Sequence, residues 1–540
     1  MQESNVVDVE LLKALLLYVP LSIIGLWRWT FWFVRRVCAA LYRPNVAPWP
    51  KNTPRPTVTI VTPVYNEETA VFEEAMQSWI KNGVDEIIAV IDKSNTRHIV
   101  DFERRYVNNK SIATKCRLLV TPKPGKRAAL CDGLEMATGD LIALVDSDTI
   151  WSDDVLEKTI PYFADKGVGG ATVAQRIQNP FNTANVLFDM LLYSRYKEEV
   201  PFLLVTGRAF NTLSGRTAFY RREAVFNDEY DNIHELRHEF FMGTRGISGD
   251  DKRLTHLIVE QGWHTAYVLG PQVLTPGLNS MKKFFKQRLR WTRNSWRADL
   301  RAVGKGWVFS HPALAIFMID RFFQPIFMLI GPIVMVFALI NEEWLFAGIL
   351  LVWWLLSRFV RVFGYFKAHP KRIIYLPAYI IYGYVNAVIK IYAFATLIEN
   401  SWATRWHKTR AKRKGTFRKL FTLGSGYLAI ILFVFLVSEI VISLRDQAGA
   451  DIPVQAPVES QAFNTQATAT TQVQSAPPAP TETIDPTAVE VYIVKEGDTM
   501  DVLSLQFGMS ISDLKKLNNI RDADTISIGQ SIIHYKGSIR

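Results

Sequence analysis

The sequence predicts an α/β domain with a Rossmann-like parallel sheet, joined to a multi-span α-helical membrane region and closed by a small separate unit. Three observations carry that reading. Between residues 54 and 280, short β-rich apolar runs alternate with helical patterns, the order that builds a parallel sheet. Long apolar runs return beyond residue 310 beside clusters of Lys and Arg, as at the inner face of a bilayer. A stretch rich in Ala, Pro, Thr and Gln then sets the last unit, 490–538, apart from the rest.

Composition agrees. The 540 residues are 49% hydrophobic with a net charge of +11, so apolar side chains are concentrated in part of the chain. No basic recognition motif of a nucleic-acid binder is present. The positive charge therefore points to anionic lipid or an anionic substrate and not to nucleic acid. Cys38, Cys116 and Cys131 fit neither a metal-site spacing nor a disulfide framework. They read as structural thiols in a reduced compartment.

The elements follow in order. Residues 1–45 are expected to hold an anchor, apolar from about Ala14 to Val34 and interrupted by Arg28. No small-residue cleavage site follows it, which argues against a signal peptide. Glu3, Asp8 and Glu10 precede it, and Arg35, Arg36, Arg43 and Lys51 follow. That asymmetry puts the N-terminus outside and the next domain in the cytoplasm. In the 54–280 domain, strands are expected at Thr57–Pro63, Glu86–Ile91, Leu118–Thr121 and Leu141–Val145, with a helix between Glu67 and Asn82. Ligands are expected at the carboxyl ends of those strands.

Residues 281–310 mix Phe284, Phe285, Trp291 and Trp296 with many basic side chains, the pattern of an amphipathic interfacial helix. The membrane region is expected over 311–444. Phe322–Ile340 and Leu345–Val360 read as a hairpin of spans around Asn341-Glu342-Glu343. The apolar run Ile373–Ile398 precedes the basic stretch Trp402–Lys419. A single crossing there would put that stretch outside, against the positive-inside tendency. A re-entrant or interfacial segment is therefore expected. A last span, Tyr427–Leu444, leads outside to a flexible linker at 445–489.

The chemistry begins at Asp146 and Asp148, which end the apolar run Leu141–Val145. Residues i and i+2 of a strand share a face, so two carboxylates there can meet one hard cation. Such a cation would bridge a diphosphate and neutralise its charge as it leaves. An isolated Asp-X-Asp is more often a solvated turn, and the surrounding motifs decide against that. Thr57–Glu68 reads Thr-Val-Thr-Ile-Val-Thr-Pro-Val-Tyr-Asn-Glu-Glu, Asp92 ends the second strand, and Gly125-Lys126-Arg127 precedes the aspartate pair.

These stretches resemble family 2 glycosyltransferases, which are inverting enzymes with a nucleotide-sugar donor and a glycosyltransferase A-type fold. The resemblance implies that Tyr65, Asn66, Glu67 and Asp92 hold uracil and ribose. It also implies that Lys126 and Arg127 reach the diphosphate, a role the cationic side chains suit. Asp146 and Asp148 would hold Mg2+ or Mn2+. Gly249-Asp250-Asp251 opens a helical pattern, Lys252–Gln261. By the match to processive members, Asp251 is the general base, with Asp250 as the structural alternative. Gln287-Arg288-Leu289-Arg290-Trp291 matches the Gln-X-X-Arg-Trp motif of processive synthases. There Gln287 and Arg290 attend the donor, and Trp291 offers a flat face to donor and acceptor sugars.

Together with Trp402-Ala403-Thr404-Arg405, these motifs resemble hyaluronan synthases and their chitin-oligosaccharide relatives. In those enzymes Trp402 and Arg405 would help close the donor site from the membrane side. Ser214-Gly215-Arg216 stands where acceptor contacts are expected. Arg216 departs from the pattern, since related synthases more often have an uncharged residue. It would suit an acidic polymer or form a structural ion pair. The last unit resembles a LysM domain with its βααβ order, through Gly497-Asp498-Thr499, Leu514, Asn518 and Gly529-Gln530. Such domains bind N-acetylglucosamine-containing glycans, so a cell-wall glycan or chitin becomes a partner.

The expected protein is a multi-pass enzyme of the plasma membrane with its catalytic domain in the cytoplasm and its LysM-like unit outside. It would polymerise a hyaluronan-like β-linked polysaccharide from UDP-GlcNAc and UDP-GlcA and pass it through the lipid bilayer. Alternatives are a chitin, poly-N-acetylglucosamine or other β-glycan synthase. A non-processive transferase acting on a lipid, and a wall tether with an inactive transferase domain, are more distant.

Overall fold

The computed structural model describes residues 23–44, 46–122, 125–227, 229–241, 244–245, 249–340 and 342–397. In the C-terminal unit it describes 489–494, 500–507, 509–518, 520 and 530–535. The chain divides into two compact units, Met1–Pro453 and Val454–Arg540.

The first unit is built on an eight-stranded sheet. Its strands are β1 (Val58–Val64), β2 (Glu86–Asp92), β3 (Lys115–Thr121), β4 (Leu141–Val145), β5 (Ile150–Trp151), β6 (Val168–Ile177), β7 (Thr217–Arg221) and β8 (His264–Thr275). Their order is β3-β2-β1-β4-β7-β6-β8-β5. The first four in that order run parallel. β2 and β4 are buried along their whole length, so both faces can be apolar, as a covered parallel sheet requires. The expectation of a parallel sheet is corrected in its other half. β7 runs antiparallel between β4 and β6, and β5 closes the far edge antiparallel to β8. The sheet is mixed, and the fold is glycosyltransferase A-like.

Helices α2 (Thr69–Lys81) and α3 (Lys126–Met136) follow β1 and β3. α4 (Thr183–Ser194) and α5 (Val200–Gly207) lie between β6 and β7, and α6 (Asp250–Glu260) precedes β8. Glycines in β6 are imposed by packing. A side chain at Gly169 would meet Trp263 at 2.6 Å, and one at Gly170 would meet Leu213 at 2.6 Å.

Of the expected N-terminal anchor, the described part is helix α1 (Ile23–Leu41). It is tied to the membrane helices by Asp320, which accepts from Trp27 Nε1 at 3.1 Å and pairs with Arg28 at 3.5 Å. The 281–310 stretch is a long helix, α7 (Met281–Lys305), ended by Gly306 at φ +79°. The left-handed conformation there suits glycine. Then come α8 (Pro312–Ile340), α9 (Trp344–Ala368) and α10 (Leu376–Ala395), the last preceded by a 3-10 turn from Pro370. Among the described residues, three stretches, Pro312–Ile340, Trp344–Ala368 and Pro370–Ala395, are long and apolar enough to cross a membrane. Leu351, Val352, Leu355 and Leu356 of α9 turn outward, as lipid would allow. Of the stretch Ile373–Ile398, expected to be re-entrant or interfacial, Leu376–Ala395 is α-helix. The stretch is bound to α7 by Arg293 on Thr396 Oγ1, by Trp296 Nε1 on the Lys390 carbonyl at 3.0 Å, and by Arg297 on the Leu397 carbonyl at 2.8 Å. Trp402, Arg405, the span Tyr427–Leu444 and the linker up to residue 488 lie outside the described residues.

The second unit pairs β9 (Val489–Ile493) antiparallel with β10 (Ser531–Tyr535). Between them stand α11 (Met500–Phe507) and α12 (Ile511–Leu517), giving the βααβ order of a LysM domain. Leu503, Leu514 and Ile532 are fully buried in its core. Asn518 clamps the C-terminal strand: its amide donates to the Ile533 carbonyl at 2.8 Å, and its oxygen accepts from Ile533 N at 2.6 Å. Gly497, Asp498, Thr499 and Gly529 lie outside the described residues.

Candidate functional site

Most of the expected site residues stand where the parallel strands end, the usual ligand position in such sheets. After β1 come Tyr65, Asn66 and Glu67, with Asn66 at φ +53°, a conformation asparagine tolerates. β2 ends in Asp92, whose carboxylate accepts from Ser94 N at 2.9 Å and from Ser94 Oγ at 2.5 Å. After β4 come Asp146, Ser147 and Asp148. Ser147 donates to Glu67 at 3.1 Å. Asp146 and Asp148 both meet Arg216.

Gly125, at φ +110°, opens α3. Lys126 then reaches Asp146 at 2.6 Å and Asp250 at 3.3 Å, bridging the two acidic motifs. Burial opposes its charge, but Asp146, Asp250 and Asp251 together hold the ammonium above its ordinary range. Arg127 lies about 100° further round the helix and is turned away from the cleft. It is 3% exposed and paired with Glu239, and Arg301 joins the same carboxylate. The structure therefore does not bring Arg127 to the diphosphate position.

Asp250 and Asp251 occupy the first turn of α6, entered through Gly249 at φ +83°. Adjacent acids have different partners. Asp250 is paired with Lys126, whereas Asp251 forms no ion pair among the described residues and accepts from Lys252 N at 2.8 Å. Burial, reinforced by the neighbouring Asp250, pushes the Asp251 carboxyl up. For Asp146, burial is outweighed by Lys126 and Arg216, which hold its carboxyl below the ordinary range. Glu67 is raised by burial and by the charge of Asp148. A side chain at Gly215 would stand 2.9 Å from Asp251 Oδ2, so only glycine leaves that carboxylate its place.

Behind the acids, Lys252 pairs with Asp299 at 2.5 Å and donates to Ser295 Oγ at 2.8 Å. Burial pulls this ammonium down to about 8. Arg321 of α8 donates to the same Ser295 at 3.1 Å, so one polar chain links the acid-bearing helix to a membrane helix. In α7, Arg290 and Trp291 line the cleft, whereas Gln287 does not. The Gln287 Oε1 is buried without a hydrogen-bond partner among the described residues. Trp291 rests edge-on against Phe188, with ring centres 5.6 Å apart.

The cleft belongs to a cavity of about 740 Å³. Its walls include Glu67, Asp92, Lys126, Asp146, Asp148, Ser214, Gly215, Arg216, Asp250 and Asp251. The same cavity continues to Arg28 and Arg35 of α1, Asp320, Arg321 and Gln324 of α8, Arg361 of α9, and Asn386 and Lys390 of α10. Arg28 and Arg35 were read only for the anchor and its sidedness, and motif reading did not find the others.

Among the described residues no group of three or more His, Cys, Asp or Glu forms a ready metal cage. Asp146 and Asp148 are nonetheless hard oxygen donors presented on one face, which fits Mg2+ or Mn2+ when a diphosphate supplies further oxygens.

Known proteins agree with the fold and its chemistry class. Residues 54–294 match the family model "Glycosyltransferase like family 2", and 492–533 match "LysM domain". A "Type 2 glycosyltransferase" of Zymoseptoria tritici is 24% identical over 71% of this chain and 85% of its own length. An "N-acetylglucosaminyltransferase" of Rhizobium leguminosarum bv. viciae is 30% identical over 47% of this chain and 59% of its own length. A mannosyltransferase of Pyrobaculum calidifontis, solved with GDP-Man and Mn2+, gives a TM-score of 0.48 at 20% identity, covering 68% of this chain and 96% of that one.

Proposed function

Since the chain carries a family 2 glycosyltransferase domain and a LysM domain, we propose that it is a membrane-embedded processive synthase. It would build a β-linked, N-acetylglucosamine-containing polysaccharide from UDP-sugars and pass the chain through its own helices. One observation carries this reading: the acid-lined cleft and the polar tract among α1, α8, α9 and α10 are a single cavity. Charged side chains inside membrane helices are costly and mark pathways. A transferase acting once on a soluble or lipid acceptor has no need of such a tract.

In this mechanism Asp251 takes the proton from the acceptor hydroxyl as its oxygen attacks C1 of the donor sugar. The new C–O bond forms as the bond from C1 to the diphosphate breaks. UDP leaves with that electron pair and the configuration inverts. Lys126 and Arg290 face the leaving diphosphate, where fixed cations stabilise the developing charge. Trp291 gives a sugar ring a flat surface. A divalent cation held by Asp146 and Asp148 would supply further charge neutralisation. The catalytic domain would work in the cytoplasm, with the LysM unit outside on a wall glycan or chitin.

Two products are favoured by separate observations. The basic lining among the membrane helices suits a uronate-bearing, hyaluronan-like chain. The rhizobial N-acetylglucosaminyltransferase relative favours a chitin-like or poly-N-acetylglucosamine chain. Purified enzyme incubated with UDP-GlcNAc, alone and with UDP-GlcA, and its product digested separately with hyaluronidase, chitinase and cellulase, decides between them. Formation of only single-sugar adducts under all conditions would overturn the processive reading.

A further inference from the structure

The aspartates assigned above to a divalent cation are already held by cations of this chain. Arg216 Nη1 lies 3.4 Å from Asp146 Oδ2 and closer still to Asp148 Oδ1. One nitrogen thus touches both carboxylates. Lys126 holds the other Asp146 oxygen at 2.6 Å. The Arg216 backbone is pinned: its N–H donates to Ser214 Oγ at 3.2 Å, and its carbonyl accepts from Asp146 N at 3.3 Å. Its side chain lines the open cavity, so the guanidinium can leave the acids without moving the strand.

Resting on the metal reading above, we propose that Arg216 is a built-in counter-cation that competes with Mg2+ or Mn2+ for Asp146 and Asp148 and must leave these acids for either ion to bind. Two cations competing for the same oxygens repel each other, so the free enzyme binds metal weakly. A nucleoside diphosphate offers the released guanidinium new oxygens. Because coupling between ligands is reciprocal, nucleotide then strengthens metal binding through Arg216 as well as through its own phosphates. The departure of this motif from an uncharged residue is thereby assigned to the donor side of the reaction. It says nothing about the acidity of the polymer.

The test is Mn2+ binding to the purified full-length protein, followed by electron paramagnetic resonance without nucleotide. Arg216→Gln removes the charge and should bind Mn2+ about tenfold more tightly than wild type, or better. Arg216→Lys keeps the charge and should stay within about threefold of wild type. Asp148→Asn in the Arg216→Gln background should cancel the gain, which locates the ion. Added UDP should tighten Mn2+ binding more in wild type than in Arg216→Gln. Unchanged or weaker Mn2+ binding in Arg216→Gln, while wild-type binding still depends on Asp148, overturns the counter-cation and leaves the metal site standing. If neither protein binds Mn2+ with or without UDP, the metal reading falls and takes this inference with it.

Discussion

The two ends of the cavity carry opposite charge. Under the sheet, Glu67, Asp146, Asp148, Asp250 and Asp251 are met by Lys126, Arg216 and Arg290. Among the helices, Arg28, Arg35, Arg321, Arg361 and Lys390 outnumber Asp320, Glu198 and Glu199. The sheet end is preorganised, since Lys126 bridges two of its acids and Arg216 two. On the proposed reading this end receives a cation and a diphosphate, with Asp251 beside them as the base. The helix end sets its cations beside the amides Gln324 and Asn386, the lining that the proposed function assigns to passage of the sugar chain. The comparison separates chemistry from passage, and each end can be attacked alone.

The largest effect is expected at the unpaired acid. Asp251→Asn should lower kcat about a thousandfold while the Kd for UDP-sugar, measured by calorimetry, stays unchanged. A base works only when ionised, so activity falls as the pH drops through its pKa. The raised Asp251 carboxyl puts that acid limb above the ordinary carboxylate range. Asp250→Asn removes a neighbouring negative charge that helps to raise it, so in that variant the limb should move to lower pH. A dead Asp250→Asn beside an active Asp251→Asn would mean that the assignment is reversed.

Asp148→Asn comes next, with a loss of about a hundredfold or more in Mn2+-supported turnover and unchanged membrane insertion. Near-normal turnover would remove the metal from the sheet end. Gly215→Ala probes the same end by space alone. Its methyl group would press on Asp251 Oδ2 at 2.9 Å, so kcat should fall about tenfold with little change in KM. An unaffected kcat would show that the base has room to move.

Legibility in the sequence followed the same division. The sheet end was readable because its acids cluster in short motifs at strand ends, as at Leu141–Asp148. The runs for β1, β2 and β4 stood out because both faces of a covered strand are apolar, whereas only the Leu118–Thr121 part of the edge strand β3 did. β6 and β8 did not, since Gly169-Gly170 and Gly270-Pro271 break their patterns. Those glycines are set by the closeness of Trp263 and by a positive φ of +107°, neither visible from periodicity. The antiparallel β7 was invisible for a related reason, because strand direction comes from the path of the chain and not from composition. Arg127 was misjudged because the next residue on a helix lies about 100° further round, which carries its side chain to Glu239. The helix end was barely legible, since single charges scattered over four helices form a lining only when the helices pack.

That end gives a smaller and different effect. Lys390 lines it and pairs with Gln324, while its carbonyl fixes Trp296. Lys390→Met keeps the backbone contact and most of the side-chain volume while removing the ammonium and its hydrogen bond to Gln324. Mean product length should shorten severalfold, measured by gel filtration, with the rate of the first transfer within about twofold of wild type. Equal losses in both would mean that the two ends are not separable.

The smallest effect on synthesis is expected from removing everything after residue 444. Among the described residues, those lining the cavity lie at or before Lys390, and the LysM unit is a compact body with its own core. The truncated enzyme should therefore make polymer of normal length in isolated membranes. It should lose retention on chitin or peptidoglycan beads, because the glycan-binding unit is gone. In intact cells with the wall opened, added protease should trim the full chain beyond about residue 446 and spare the transferase domain, as the basic segments on its side require. Loss of synthesis on truncation would mean that the cavity needs the C-terminal unit to work. A C-terminus shielded until the membrane is broken would place that unit on the same side as the acids, and the division of labour along the cavity would then have no outward end.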